Sequence, residues 1–155
     1  MTLDNLYTAC VGLTNFQTET IGGRASECET KLVARVLPLV DHDNFEEFID
    51  TWLCSNNEGG VAAVATHVLH NIVLRSDLFR NEVVQKKATE HLLGLLNYPH
   101  PAIRSRVVAI LFFMKATKVL HDPNAVAARL TLIQNTESDP VVREAIHEFL
   151  HPTPR

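Results

Sequence analysis

Apolar residues recur at helical spacing along nearly the whole chain. Phe45, Phe48, Ile49, Trp52 and Leu53 fall at i, i+3, i+4, i+7 and i+8, one face of a helix that Asp43 or Asn44 can cap. Leu3, Leu6, Tyr7, Cys10 and Leu13 share a face over residues 3–16, with Thr2 placed to cap it. Gly22-Gly23 breaks the chain there. Ser26-x-x-Glu29 then has capping-box spacing ahead of a stripe of Leu32, Val33, Val36 and Leu37. Pro38 lacks an N–H and clashes with the preceding turn, so that helix should kink or end near it. Between turns at 55–60 and 76–77, Val61, Val64, Ala65, Val68, Leu69 and Ile72 are apolar around much of a helix. Such a helix sits between neighbours rather than on a surface.

The second half carries a repeated pattern. Leu78, Phe79, Val83 and Val84 read as a short amphipathic segment, and Ala88, Leu92, Leu93 and Leu96 as the next. A Pro-rich turn then leads into Pro101, which suits the first helical position because its missing N–H costs nothing there. Ile103, Val107, Ile110, Leu111 and Met114 give that helix a broad buried face. The run from Pro101 to Leu111 matches Pro140 to Leu150: an aliphatic two after Pro, Arg three after, an aliphatic six after and apolar residues nine to ten after. The spacing of about 39 residues is close to that of stacked helical units. Asp122-Pro123 opens the helix between, with Val126, Leu130 and Ile133 inward; Val142, Ile146, Phe149 and Leu150 close the last one. No stretch alternates with period two between hairpin turns, so the chain reads as all-α.

At 155 residues and 46% hydrophobic, the chain suits one domain with a sizeable core. Its net charge of −4 does not favour free nucleic acid as the main ligand. The charge is uneven. Residues 41–58 hold only carboxylates, whereas 75–118 are mostly Lys and Arg among their charges. Either these are solvated helix faces, or one end is acidic and one surface suits an acidic partner. Cys10, Cys28 and Cys54 form no CxxC and suit a reducing compartment. The N-terminus has no basic region and carries Asp4, unlike a signal peptide, and no run reaches the ~18 apolar residues of a membrane span. The expected location is cytoplasmic or nuclear, with no membrane association.

Two family patterns are present. Asp139-Pro-Val-Val-Arg143 resembles the D-P-x-V-R turn of HEAT repeats, where Asp and Arg tie adjacent units together. Leu93 to Pro101 and the helix after it resemble the armadillo pattern of helix, Pro turn and long third helix. Ala65-Thr-His-Val-Leu-His-Asn-Ile72 is similar to the A-x-W-A-L-S-N-L of armadillo third helices, with Asn71 at the Asn position and His67 at the Trp position. The likeness is loose over 43–150 and best over 61–114. It implies a right-handed α-solenoid, armadillo/HEAT-like, of about eight helices in three to four stacked repeats. A cap helix would occupy 1–23, the repeats 24–150 and a tail 151–155. Third helices in that family line a concave groove where the Asn amide pairs with a peptide backbone. On this resemblance His67, Asn71 and Arg75 share one helix face, extended by Phe112 and Lys115 on the next unit. In the plainer reading, Asn71 satisfies a backbone group and His67 is an ordinary surface or core histidine. Val108 and Phe112 stand at the Trp and Asn positions of the next unit, so a long Trp/Asn ladder for extended basic peptides is not present.

Catalytic and metal motifs do not emerge. His67 and His70 are three apart with no carboxylate at the next helical step, unlike an H-E-x-x-H pair, and His147-Glu148 is a lone His-Glu dipeptide. Cys28 and Cys54 lie among carboxylates, which weaken a thiol as a nucleophile. There is no P-loop, G-x-S-x-G or G-x-G-x-x-G. The expectation is therefore no enzyme, no cofactor and no metal. HEAT-like DNA glycosylases need a basic face, and Lys86, Lys87, Arg104 and Arg106 form only a modest one, Arg104 being structural by its match to Arg143. What remains is a small adaptor or scaffold binding a peptide or protein surface, within a larger complex or alone. The alternatives are a co-chaperone or assembly factor wrapping a partner domain, and nucleic-acid binding through 75–118. Leu3, Leu6 and Tyr7 at one end could also meet a second copy, giving a homo-oligomer through terminal repeats.

Overall fold

Eight α-helices and no strand occur among the residues that the computed structural model describes, 2–11, 27–57, 59–75 and 77–152. They are α1 (Leu3–Val11), α2 (Glu27–Val36), α3 (Phe45–Trp52), α4 (Gly59–Arg75), α5 (Glu82–Leu95), α6 (Pro101–Ala116), α7 (Pro123–Gln134) and α8 (Pro140–Leu150). Short 3₁₀ turns occupy Leu37–Leu39 and Leu78–Arg80. The chain is thus all-α, as the apolar spacing requires. Leu13 and the Ser26 end of the expected capping box lie outside the described residues.

The helix ends follow local chemistry. Thr2 Oγ1 accepts the Asn5 N–H at 3.2 Å. Pro38 ends α2 and tightens the chain into the first 3₁₀ turn. Asn44 stands just before α3, but its side chain turns backward: Nδ2 donates to the Leu39 carbonyl at 2.7 Å, and Oδ1 accepts from the Asp41 N–H. Asp122 and Asp139 accept backbone N–H groups of α7 and α8, and Pro follows each of them at the first helical position. Lys118 closes α6 at φ 63°, which lets the Val119 N–H reach the Met114 carbonyl at 2.8 Å.

The central unit differs from expectation in one respect. Leu78 and Phe79 are buried on a single 3₁₀ turn, and Asn81 then caps a new helix by accepting the Val83 N–H. Val83 consequently sits at the outer side of the first turn of α5, 53% exposed, instead of joining the apolar face.

Packing is strongest between alternate helices. α2 lies against α4, α4 against α6, and α6 against α8, while α3 packs on α5. α1 covers α4 and α2, and α7 lies against α8. α4 has neighbours on several sides, which explains why Val61 to Thr66 are all buried. Phe45, Phe48 and Trp52 of α3 stack in sequence, and Tyr7 of α1 meets Trp52 edge-on at 5.3 Å between centroids. Such aromatic pairs add to plain area burial. No helix among the described residues is long and apolar enough to cross a membrane.

Candidate functional site

The row α2, α4, α6 and α8 carries both the expected binding residues and a polar cluster that spacing alone did not reveal. Glu29 of α2 is fully buried. Its Oε1 lies 3.2 Å from Arg106 Nη1 of α6, and its Oε2 lies 3.3 Å from Arg106 Nη2. His67 Nδ1 of α4 is 2.8 Å from Glu29 Oε2, with the ring donating, since a carboxylate only accepts. Arg106 Nη1 also donates to the Ala63 carbonyl at 2.8 Å, and Thr66 Oγ1 donates to the Ala62 carbonyl at 2.8 Å. Three helices are therefore joined through one carboxylate. A buried charge left unpaired is costly, so these groups stand or fall together.

The expected site residues are divided by this arrangement. His67 turns toward Glu29 and keeps about a quarter of its side chain exposed. Asn71 is half-buried, and its Nδ2 donates to the His67 carbonyl one turn back at 3.0 Å. Arg75 ends α4, and its side chain lies outside the described residues. Phe112 is half-buried and meets Phe113 edge-on at 5.8 Å. Lys115 turns the other way: Nζ lies 3.4 Å from the Phe149 carbonyl and 4.8 Å from the Phe149 ring centre. There it favours the negative end of α8 and contributes a cation–π contact, tying α6 to α8. His67 and Asn71 thus share α4, Phe112 lies on the neighbouring helix, and Lys115 belongs to the α6–α8 junction.

Two depressions open along this row. One, about 510 Å³, is a furrow between α6 and α8 with Ala102, Ser105, Arg106 and Ala109 on one side and Asp139 and Val141 on the other. The second, about 720 Å³, lies where α4 and α6 end, against Leu74, Asp77, Arg80 and Val119. Each holds a large apolar side chain in water: Val141 is 63% exposed and Leu74 is 48% exposed. A single exposed apolar side chain is ordinary on a protein surface, and it is the concavity beside each that makes the two depressions candidates.

Four of the eight basic side chains in 75–118, those of Lys87, Arg104, Arg106 and Lys115, are engaged within the protein. Lys87 Nζ of α5 lies 2.8 Å from both Glu46 and Asp50 of α3, and His91 lies 3.2 Å from Asp50. The acidic 41–58 and basic 75–118 stretches therefore face each other in part. Lys87 holds the Asp50 carboxyl below the ordinary range, helped by His91, and Asp50 and Glu46 in turn raise the Lys87 amine. Arg104 forms a two-pronged pair with Glu137 at 2.8 and 3.0 Å and donates to the Tyr98 and Pro99 carbonyls. It lowers the Glu137 carboxyl in the same way. Arg104 is structural, as its repeat position suggests, but its acidic partner is Glu137, while Asp139 caps its own helix. Of the cysteines, Cys10 is buried and its thiol is pushed up to about 12, Cys28 is exposed and Cys54 half-buried.

No family model matches the chain, and neither curated proteins nor solved structures yield a match.

Among the described residues no group of three or more His, Cys, Asp or Glu side chains is placed to hold a metal ion. The buried cluster left a trace in the sequence. Glu29 precedes Val33 and Val36 by four and seven residues, and Arg106 stands three after Ile103 and four before Ile110. Residues three and four apart share a helix face, so each charge falls on the apolar side of its own helix.

Proposed function

We propose that this chain is a non-enzymatic interaction module, a small armadillo/HEAT-like solenoid that binds a peptide or protein surface along α4, α6 and α8. The observation that carries this reading is the packing of alternate helices into one row with exposed Leu74 and Val141 each lining a depression on it. Stacked repeats bury their apolar faces against the next unit and leave one edge of each helix for a ligand. Ala102, Ser105 and Ala109 line the furrow, and their small side chains leave room for a backbone to approach. Affinity would come from a few apolar anchors with a polar rim. Nucleic-acid binding gains little support, because Lys87, Arg104 and Arg106 are each held by carboxylates of the chain itself.

The test is a pull-down from nuclease-treated extract with the wild type and an Ala109→Arg/Val141→Glu variant. Both changes fall on the furrow and outside the fully buried core, so thermal unfolding should move by only a few degrees. The expected result is a protein partner held by the wild type and lost by the folded variant. Equal retention by both places the interface elsewhere, and recovery abolished by the nuclease favours nucleic acid.

A further inference from the structure

We propose that the seam between α4 and α6 is an acid-sensitive catch, in which proton uptake by His70 opens these two helices while α3 and α5 stay paired. This does not rest on the binding reading. His70 lies one turn beyond Thr66 on α4, and its ring meets Phe113 of α6 at 5.3 Å between centroids. Among the described residues its Nε2 is sealed from solvent without a hydrogen-bond partner. A neutral imidazole tolerates that position at the cost of one unsatisfied nitrogen. An imidazolium needs a donor outlet for both ring N–H groups, and at Nε2 the native packing provides none.

The surroundings are also wrong for a second positive charge. The charged and protonatable groups acting on His70 are His67 on its own helix and Arg106 from α6. Glu29 from α2, the carboxylate of this cluster, already has both oxygens engaged, one by Arg106 and the other by Arg106 and His67. The tilted Phe113 ring offers an imidazolium only part of a cation–π attraction. Burial, and then His67 and Arg106, hold the His70 ring below its ordinary 6.5.

The direction of the effect follows from linkage. A histidine with a depressed folded value binds its proton more readily once the seam is open. Stability at the seam is therefore full above about pH 6.5 and falls as the pH drops below it. The lowered carboxyls of Asp50 and Glu137 act in the same sense but only at lower pH, below their ordinary 3.8 and 4.5. Between pH 6.5 and 5 the histidine effect can thus be read separately from theirs. One proton taken up on opening makes the opening constant rise by up to about tenfold per pH unit.

The experiment is native-state amide exchange from pH 7 to 5, corrected for intrinsic rates, on the wild type and His70→Leu. Leucine removes both the titration and the unpartnered nitrogen. The expected result is that amides in 66–73 and 106–113 open progressively more in the wild type, approaching tenfold per pH unit, and that His70→Leu flattens this rise. Amides of α3 and α5 should show no such difference. Identical pH profiles in the two proteins overturn the catch, as does an equal rise across α3 and α5. Should His70→Leu fail to fold, imidazole NMR of the wild type decides: a His70 midpoint well below 6.5 is expected, and one at or above 6.5 overturns the proposal.

Discussion

Arg106→Ala is expected to lower the unfolding free energy by about 3–5 kcal/mol, because it leaves the carboxylate of Glu29 buried with only part of its compensation. Glu29 is 0% exposed, so in the native packing its carboxylate has no contact with water to replace the guanidinium. Glu29→Gln should cost less than Arg106→Ala, since it removes the charge that needs an answer. Replacing both together, Glu29→Leu with Arg106→Met, should recover much of the loss, because an apolar pair of similar volume carries no desolvation penalty. Urea unfolding of these variants checks the set. A loss below about 1 kcal/mol for Arg106→Ala would mean that the cluster is not sealed.

Leu111→Ala tests the same region from its apolar side. Leu111 is 0% exposed on α6, the helix that packs against both α4 and α8. Removing its branched end should cost about 2–5 kcal/mol, the transfer term plus that of the cavity left behind. Denaturant unfolding should show a shifted midpoint with little change in slope. A loss under about 1 kcal/mol would contradict the placing of α6 at the centre of the row.

Leu111 and Arg106 mark how far the sequence could be read. The apolar stripes on α3, α4 and α6 were plain because helical spacing alone decides which residues face inward, and Phe45, Phe48, Ile49, Trp52 and Leu53 are buried as that spacing requires. The stop at Pro38 and the helix starts at Pro101, Pro123 and Pro140 were plain for a similar reason, since a missing N–H acts within one turn. Other features depend on which helices meet. Glu29 read as a capping residue because its pattern is local, whereas its burial depends on Arg106, 77 positions away. Lys115 read as part of a groove because it follows Phe112 by one turn, yet the end of α8 draws it aside. The charge contrast between 41–58 and 75–118 looked like two surfaces, and the contact of α3 with α5 brings part of each together. Val83 read as core because Val84 is core, and the cap at Asn81 sets which of the two turns inward.

Site-specific photo-cross-linking tests the proposed binding surface along α4, α6 and α8. A photoreactive residue at Ala109, in the furrow, is compared with one at Glu90, exposed on α5. In nuclease-treated extract, a discrete protein adduct is expected from position 109 and none from position 90. An adduct from position 90 alone, or equal adducts from both, would contradict it.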